Sequence, residues 1–213
     1  MDTIKSKYHE TLAATVIKNL EKRQMEGYYC PTVEDAEKLA FSFLKDGQTV
    51  SFGGSMTLEE TGMLTALRHD PSIHLIDRST AKTPDETKKM YNDALSSDVY
   101  FMSTNAITTG GELVNIDGTG NRVAALIYGP ETVVILAGMN KIAANVDEAL
   151  SRVHNVATAQ NCIRLDKKTP CAITGACADC LSPDCICNQV VITRRSGIKG
   201  RIKVLLIGES FGY

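Results

Sequence analysis

The chain has 213 residues, 43% hydrophobic and 23% charged, and its 23 basic and 25 acidic side chains leave a net charge of -2. At about 150 residues per domain this predicts one domain over residues 1–213, and the ordinary balance excludes a disordered, collagenous or coiled-coil chain. No apolar run approaches the roughly 18 residues of a membrane span. The start Met1-Asp2-Thr3-Ile4-Lys5 lacks the order of a signal peptide. Near-neutral charge gives nucleic acid no handle, so the expectation is a cytoplasmic protein with neither membrane nor nucleic-acid partner.

Ile4, Tyr8, Leu12, Val16, Ile17 and Leu20 recur at helical spacing, and Gly27 reads as the stop of this first helix. Thr32 and Asp35 form a capping-box pattern for a second helix, whose stripe Val33, Ala36, Leu39, Ala40, Phe43 and Leu44 runs to Gly47. A strand is predicted at residues 49–52, turning at Gly53-Gly54-Ser55 into a helix that begins near Thr57. Residues 73–76 form the next strand, and Thr83-Pro84-Asp85-Glu86 is a strong helix start. Residues 98–103 read as a strand buried on both faces. Residues 112–116 and 123–128 read as strands flanking a tight turn at Asp117-Gly118-Thr119-Gly120. Residues 132–137 form another strand, Asn145 starts a helix, and residues 189–193 and 203–207 suggest a closing hairpin around Gly197 and Gly200. Strands alternating with helices predict an α/β fold with a mainly parallel sheet flanked by helices.

Three places carry the polar residues that chemistry needs. Gly53-Gly54-Ser55 and Thr57 sit between a strand and a helix, where glycines admit a ligand to the backbone; an ordinary turn capped by Thr57, with Glu60 completing the box, is the plain alternative. Ser103-Thr104-Asn105 follows the buried strand at the edge where α/β proteins bind ligands, and an amide can both donate and accept there. The run Asn115-Ile116-Asp117-Gly118-Thr119-Gly120-Asn121-Arg122 holds an acid, amides, a hydroxyl and a guanidinium, more polarity than a hairpin turn needs. Asn105, Asp117 and Arg122 are the candidates for chemistry; Gly53, Gly54, Ser55, Thr57, Asn115, Asn121 and Lys141 are the candidates for ligand binding. His9, His69, His74 and His154 stand alone and read as structural or solvated.

Gly53-Gly54-Ser55-Met56-Thr57-Leu58-Glu59-Glu60, Asn105-Ala106-Ile107-Thr108, Leu113-Val114-Asn115-Ile116-Asp117-Gly118, Gly120-Asn121-Arg122-Val123-Ala124 and Asn140-Lys141-Ile142 together resemble the signature of the LUD domain, the lactate-utilisation family. The resemblance covers nearly the whole chain. It implies the fold of ribose-5-phosphate isomerase, glucosamine-6-phosphate deaminase and the CoA transferases. It also implies a link to L-lactate oxidation alongside iron–sulfur oxidoreductase subunits. A more distant likeness to methylthioribose-phosphate isomerases breaks at one position. Asn115, Gly118 and Thr119 match a motif of theirs, but Asn105 stands where their catalytic Asp would be, and Asn cannot shuttle that proton.

Five of the seven cysteines fall between Cys171 and Cys187 with the spacing C-x5-C-x2-C-x4-C-x-C. Such crowding in a reducing compartment suggests Zn²⁺ or an iron–sulfur cluster, with a loop of reduced thiols, or a disulfide formed on oxidation, as the alternative. The resemblance implies Cys171, Cys177, Cys180 and Cys187 as the ligands, in a small C-terminal β appendage. The functional expectation is binding of a small anionic metabolite. Its alternatives are a non-catalytic partner of an iron–sulfur oxidoreductase and an enzyme for sugar phosphates or CoA esters.

Overall fold

The computed structural model describes residues 3–213; Met1 and Asp2, used above against a signal peptide, lie outside them. Helix α1 (Thr3–Lys22) lays Ala13, Val16 and Leu20 on the sheet, while Ile4 and Tyr8 share its phase yet stay exposed. The chain turns at Gln24 (φ 60°) and enters β1 (Glu26–Cys30), a strand the sequence did not mark. Gly27 is not a helix stop. A Cβ there would lie 3.0 Å from both Ile17 and Leu20, so its absence lets α1 press onto β1.

Helix α2 (Val33–Phe41) is capped as expected, with Thr32 Oγ1 accepting from the Asp35 N–H, but it ends before Gly47. After β2 (Thr49–Phe52) comes the short α3 (Met56–Glu60), capped by Ser55 and not by Thr57. Then follow α4 (Met63–His69), β3 (His74–Ile76), α5 (Pro84–Leu95), β4 (Val99–Met102), β5 (Ala106–Thr108) and β6 (Leu113–Asp117).

Residues 123–128 are not a strand. Asp117 Oδ1 accepts from the Gly120 N–H, and Gly120 takes the left-handed conformation (φ 91°) that starts helix α6 (Asn121–Ile127). The run buries Val123, Ala125 and Leu126 on one side, and so short an apolar run fits either period.

The chain continues through β7 (Thr132–Gly138), β8 (Ile142–Ala143) and α7 (Val146–Arg152), then a π-helical turn (Val153–Thr158) into α8 (Ala159–Arg164). Last come α9 (Pro170–Thr174), β9 (Gln189–Thr193) and β10 (Ile202–Ile207). One sheet has the order β1-β10-β7-β4-β2-β3 with every pairing parallel. Its alternate residues divide two cores, with Ile135, Met102 and Leu206 on one face and Leu136, Phe101 and Leu205 on the other. Helices cover both faces, so this is the expected α/β architecture.

The expected closing hairpin is replaced by a split between sheets. β9 pairs antiparallel with β6 in a second sheet of order β8-β5-β6-β9, while β10 inserts between β1 and β7. The cysteine segment thus leads into the second sheet. Ile107 and Leu113 from that sheet join the first core, which locks the two together.

Arg201 closes the C-terminal end of α6. Its guanidinium donates to the carbonyls of Pro130 (2.8 Å), Leu126 (2.6 Å) and Ala125 (2.8 Å) while only 8% exposed, and burial lowers its pKa. Arg201→Met should leave those carbonyls without partners and lower the unfolding free energy by about 3 kcal/mol in a urea titration. An unchanged midpoint would show that water replaces the guanidinium.

Candidate ligand cavity

The C-terminal ends of β2, β4 and β7 open on one cavity of about 350 Å³. Its wall brings together Gly54, Ser55 and Thr57 after β2, Ser103 to Asn105 after β4, and Lys141 after β7. Asp117, Asn121 and Arg122 close a further side. This is the crevice in which open parallel sheets place ligands.

Arg122 organises the wall. Nε donates to Asp117 Oδ2 (3.0 Å), Nη1 to Asn115 Oδ1 (2.5 Å) and the Ser103 carbonyl (3.0 Å), and Nη2 to Asn105 Oδ1 (2.9 Å) and the Ile116 carbonyl (3.0 Å). A guanidinium has five N–H donors, and all five are used within the protein. Asp117 is spent as well, between Arg122 and the Gly120 N–H. Gly53 lies behind this wall: a Cβ there would come within 3.1 Å of Arg122 Cγ and 3.2 Å of the Tyr100 hydroxyl.

Asn115 also sits behind the wall, fully buried, with Oδ1 accepting from Arg122 and from the Asn105 N–H; its Nδ2 finds no partner among the described residues. Asn105 is oriented from both sides, since Oδ1 accepts from Arg122 and from the Ile116 N–H (3.0 Å). Its Nδ2 has no hydrogen bond among the described residues and remains a fixed donor in the cavity wall. Thr57 is buried and donates to the Phe211 carbonyl (3.2 Å), so its hydroxyl holds the chain's final residues against the site.

Lys141 is 4% exposed and donates to Ser103 Oγ (3.1 Å) and the Thr104 carbonyl (3.3 Å). Burial, reinforced by Arg152 and Arg122, lowers its pKa to about 7 against a weaker opposite pull from Glu60. Arg152 donates to the carbonyls of Asn105 (2.7 Å) and Asn140 (3.0 Å).

Sequence reasoning missed two cations. Arg78, from the turn after β3, donates to the Tyr91 hydroxyl (3.2 Å) and lies over its ring. A Cβ at Gly54 would collide with Arg78 Nη2, so the glycine makes room for this guanidinium. Arg164, at the end of α8, is held by Asn161 Oδ1 through Nε (3.0 Å) and Nη2 (2.8 Å). Both stand far in sequence from the motifs, and no local pattern marks them.

The four cysteines expected to share a metal are not brought to one point. Cys171 is buried against Cys162, and its sulfur lies 3.2 Å from Thr169 Oγ1. Cys177 lies 3.6 Å from His154 Nδ1, while Cys187 donates to Thr158 Oγ1 (3.8 Å). The physical reason is the path of the chain: α9 turns Cys171 inward, and a left-handed turn at Gly175 (φ 76°) sends Cys177 and Cys180 along an outer loop. Among the described residues no three His, Cys, Asp or Glu side chains gather to hold an ion, and all seven cysteines are free thiols.

Comparison with solved structures finds similarity to a DUF162 family protein from Deinococcus radiodurans, at 9% identity and a TM-score of 0.52, covering 93% of this chain and 98% of that one. Shorter likenesses are to the eIF2B-beta2-delta2 complex from C. thermophilum (18% identity, TM-score 0.38, 54% of this chain and 43% of that one) and to ribose 5-phosphate isomerase A from Methanocaldococcus jannaschii (19%, 0.33, 53% and 54%). The chain spans about half the length of those two proteins. No curated protein matches. The LUD domain description matches residues 13–207, a stretch that includes β2, β4 and β7 and the cavity at their ends, and the chain belongs to the LUD domain family.

Proposed function

We propose that the cavity binds a small carboxylate, a 2-hydroxy or 2-oxo acid of the lactate class. The observation that carries this reading is the charge of the wall: Arg78, Arg122, Arg164 and Lys141 face a single carboxylate, Asp117, which is already paired with Arg122. A cavity of about 350 Å³ suits a small metabolite. Asn105 Nδ2 and the unspent N–H groups of Arg78 and Arg164 would recognise the carboxylate, and Asn121 and Ser103 a hydroxyl. Oxidation of a hydroxy acid needs an electron acceptor, and in this reading an iron–sulfur oxidoreductase subunit supplies it. The setting is the reducing cytoplasm, where the cysteines stay thiols.

Titration calorimetry with L-lactate and pyruvate tests the reading. Arg78→Ala should weaken binding by about tenfold or more, the worth of a charged hydrogen bond, and shift the unfolding free energy by less than about 0.5 kcal/mol. Undiminished affinity in that variant, or no binding by the unaltered protein, would overturn it.

Binding should also depend on pH. Arg152 from α7, Arg122 from α6 and Glu60 from α3 face Lys141, whose own pKa is lowered to about 7. L-lactate stays ionised there, so its affinity should fall as pH rises through about 7. Lys141→Met should bind more weakly with a flat profile. A flat profile in the unaltered protein would remove Lys141 from the anion's surroundings.

A further inference from the structure

We infer that Lys141 is a nucleophilic amine that forms a reversible imine with the carbonyl carbon of a 2-oxo acid held in the cavity. This rests on the carboxylate-binding reading above and adds a covalent step to it.

The placement of the amine carries the inference. Strand β7 is buried from Val133 to Gly138 and ends in a single 3₁₀ turn, Met139–Lys141, that delivers the side chain to the cavity wall. The turn is braced on both sides. Arg152 Nε donates to the Asn140 carbonyl, and the Asn140 side chain bonds the backbone of Phe211 and Gly212. The turn that carries Lys141 is therefore held, and Nζ is held in turn by Ser103 Oγ and the Thr104 carbonyl.

The surroundings of Nζ leave it without an acid partner among the described residues. Its hydrogen-bond partners are a hydroxyl and a carbonyl, and no carboxylate bonds to it among the described residues. Glu60, the acid that acts on it at longer range, accepts from the Gly212 N–H (2.6 Å). The neighbouring cations Arg122 and Arg152 are held by their own acceptors and cannot move off. Desolvation beside fixed positive charge is the arrangement that leaves a lysine amine neutral and reactive near pH 7. Arg78 and Asn105, which keep unspent donors in the cavity wall, suit the carboxylate that adjoins the carbonyl of a 2-oxo acid.

The step balances within these groups. The neutral amine adds its lone pair to the carbonyl carbon, giving a carbinolamine. The C–O bond then breaks, both amine protons leave with the former carbonyl oxygen as water, and a C=N bond remains. Ser103 Oγ, 3.1 Å from Nζ, is placed to pass a proton between the nitrogen and the departing oxygen. No oxidant or reductant is consumed.

The test is reductive trapping on the full chain. Pyruvate, 2-oxobutyrate and 2-oxoglutarate are each incubated with the protein and cyanoborohydride, and adducts are mapped by peptide mass spectrometry. L-lactate and pyruvate binding are measured in parallel by calorimetry. The expected result is adduct at Lys141 exceeding that at any other lysine by about tenfold or more, because Lys141 is the lysine that lines the cavity holding the oxo acid. Excess L-lactate should suppress it, and Lys141→Arg should abolish it while retaining the fold by circular dichroism. If both acids bind but no oxo acid is trapped at Lys141, or trapping is spread evenly over surface lysines, the covalent step is wrong and the carboxylate reading stands. If nothing binds and nothing is trapped, both fall.

Discussion

The cavity wall depends on one buried guanidinium. Arg122 draws the loop after β4, strand β6 of the second sheet and the start of α6 into a single unit by donating to Ser103, Asn105, Asn115, Ile116 and Asp117. Four of these acceptors are neutral dipoles and one is a carboxylate, and the pair Arg122–Asp117 is about nine-tenths buried. Removing one member of such a pair strands the other, at a cost of about 3–5 kcal/mol. Gly53 completes the arrangement by leaving room for the aliphatic part of the arginine.

From this follows a division of labour among the cations. Arg122 lends the cavity its field but has no donor to give a ligand. Arg78 and Arg164 keep unspent N–H groups, and burial beside Arg152 and Arg122 lowers the pKa of Lys141 to about 7. The π-helical turn between α7 and α8 adjusts the helical phase so that Ala157, Thr158 and Asn161 reach the wall. In the proposed reading, the charge that braces the wall and the charge left for a ligand are carried by different residues of one cavity.

Much of this was legible in the sequence because it is local. The surplus polarity from Asn115 to Arg122 marked a cluster that the fold does gather, and Thr32, Thr83 and Asn145 announced their helices through side chains that cap within three residues. The strand assigned to residues 123–128 failed because a short apolar run satisfies either period. What decides it is the Asp117–Gly120 turn and the reach of Arg122 back to Asp117. Strand β1 was hidden by Gly27, whose role is close packing against Ile17 and Leu20, a tertiary fact. Arg78 and Arg164 were invisible for the same reason. The cysteine spacing allowed a four-thiolate site, but spacing does not encode the direction α9 gives Cys171, which turns toward Cys162.

The most direct measurement replaces Arg122 by Lys, which keeps the charge and loses the fork. Unfolding free energy by urea titration and L-lactate affinity by calorimetry are read on the same preparation. Both should fall together, stability by about 3 kcal/mol or more, because the wall loses its brace even though the positive charge remains. Full stability with lost affinity would make Arg122 a ligand contact, and full stability with full affinity would show that the wall does not depend on it.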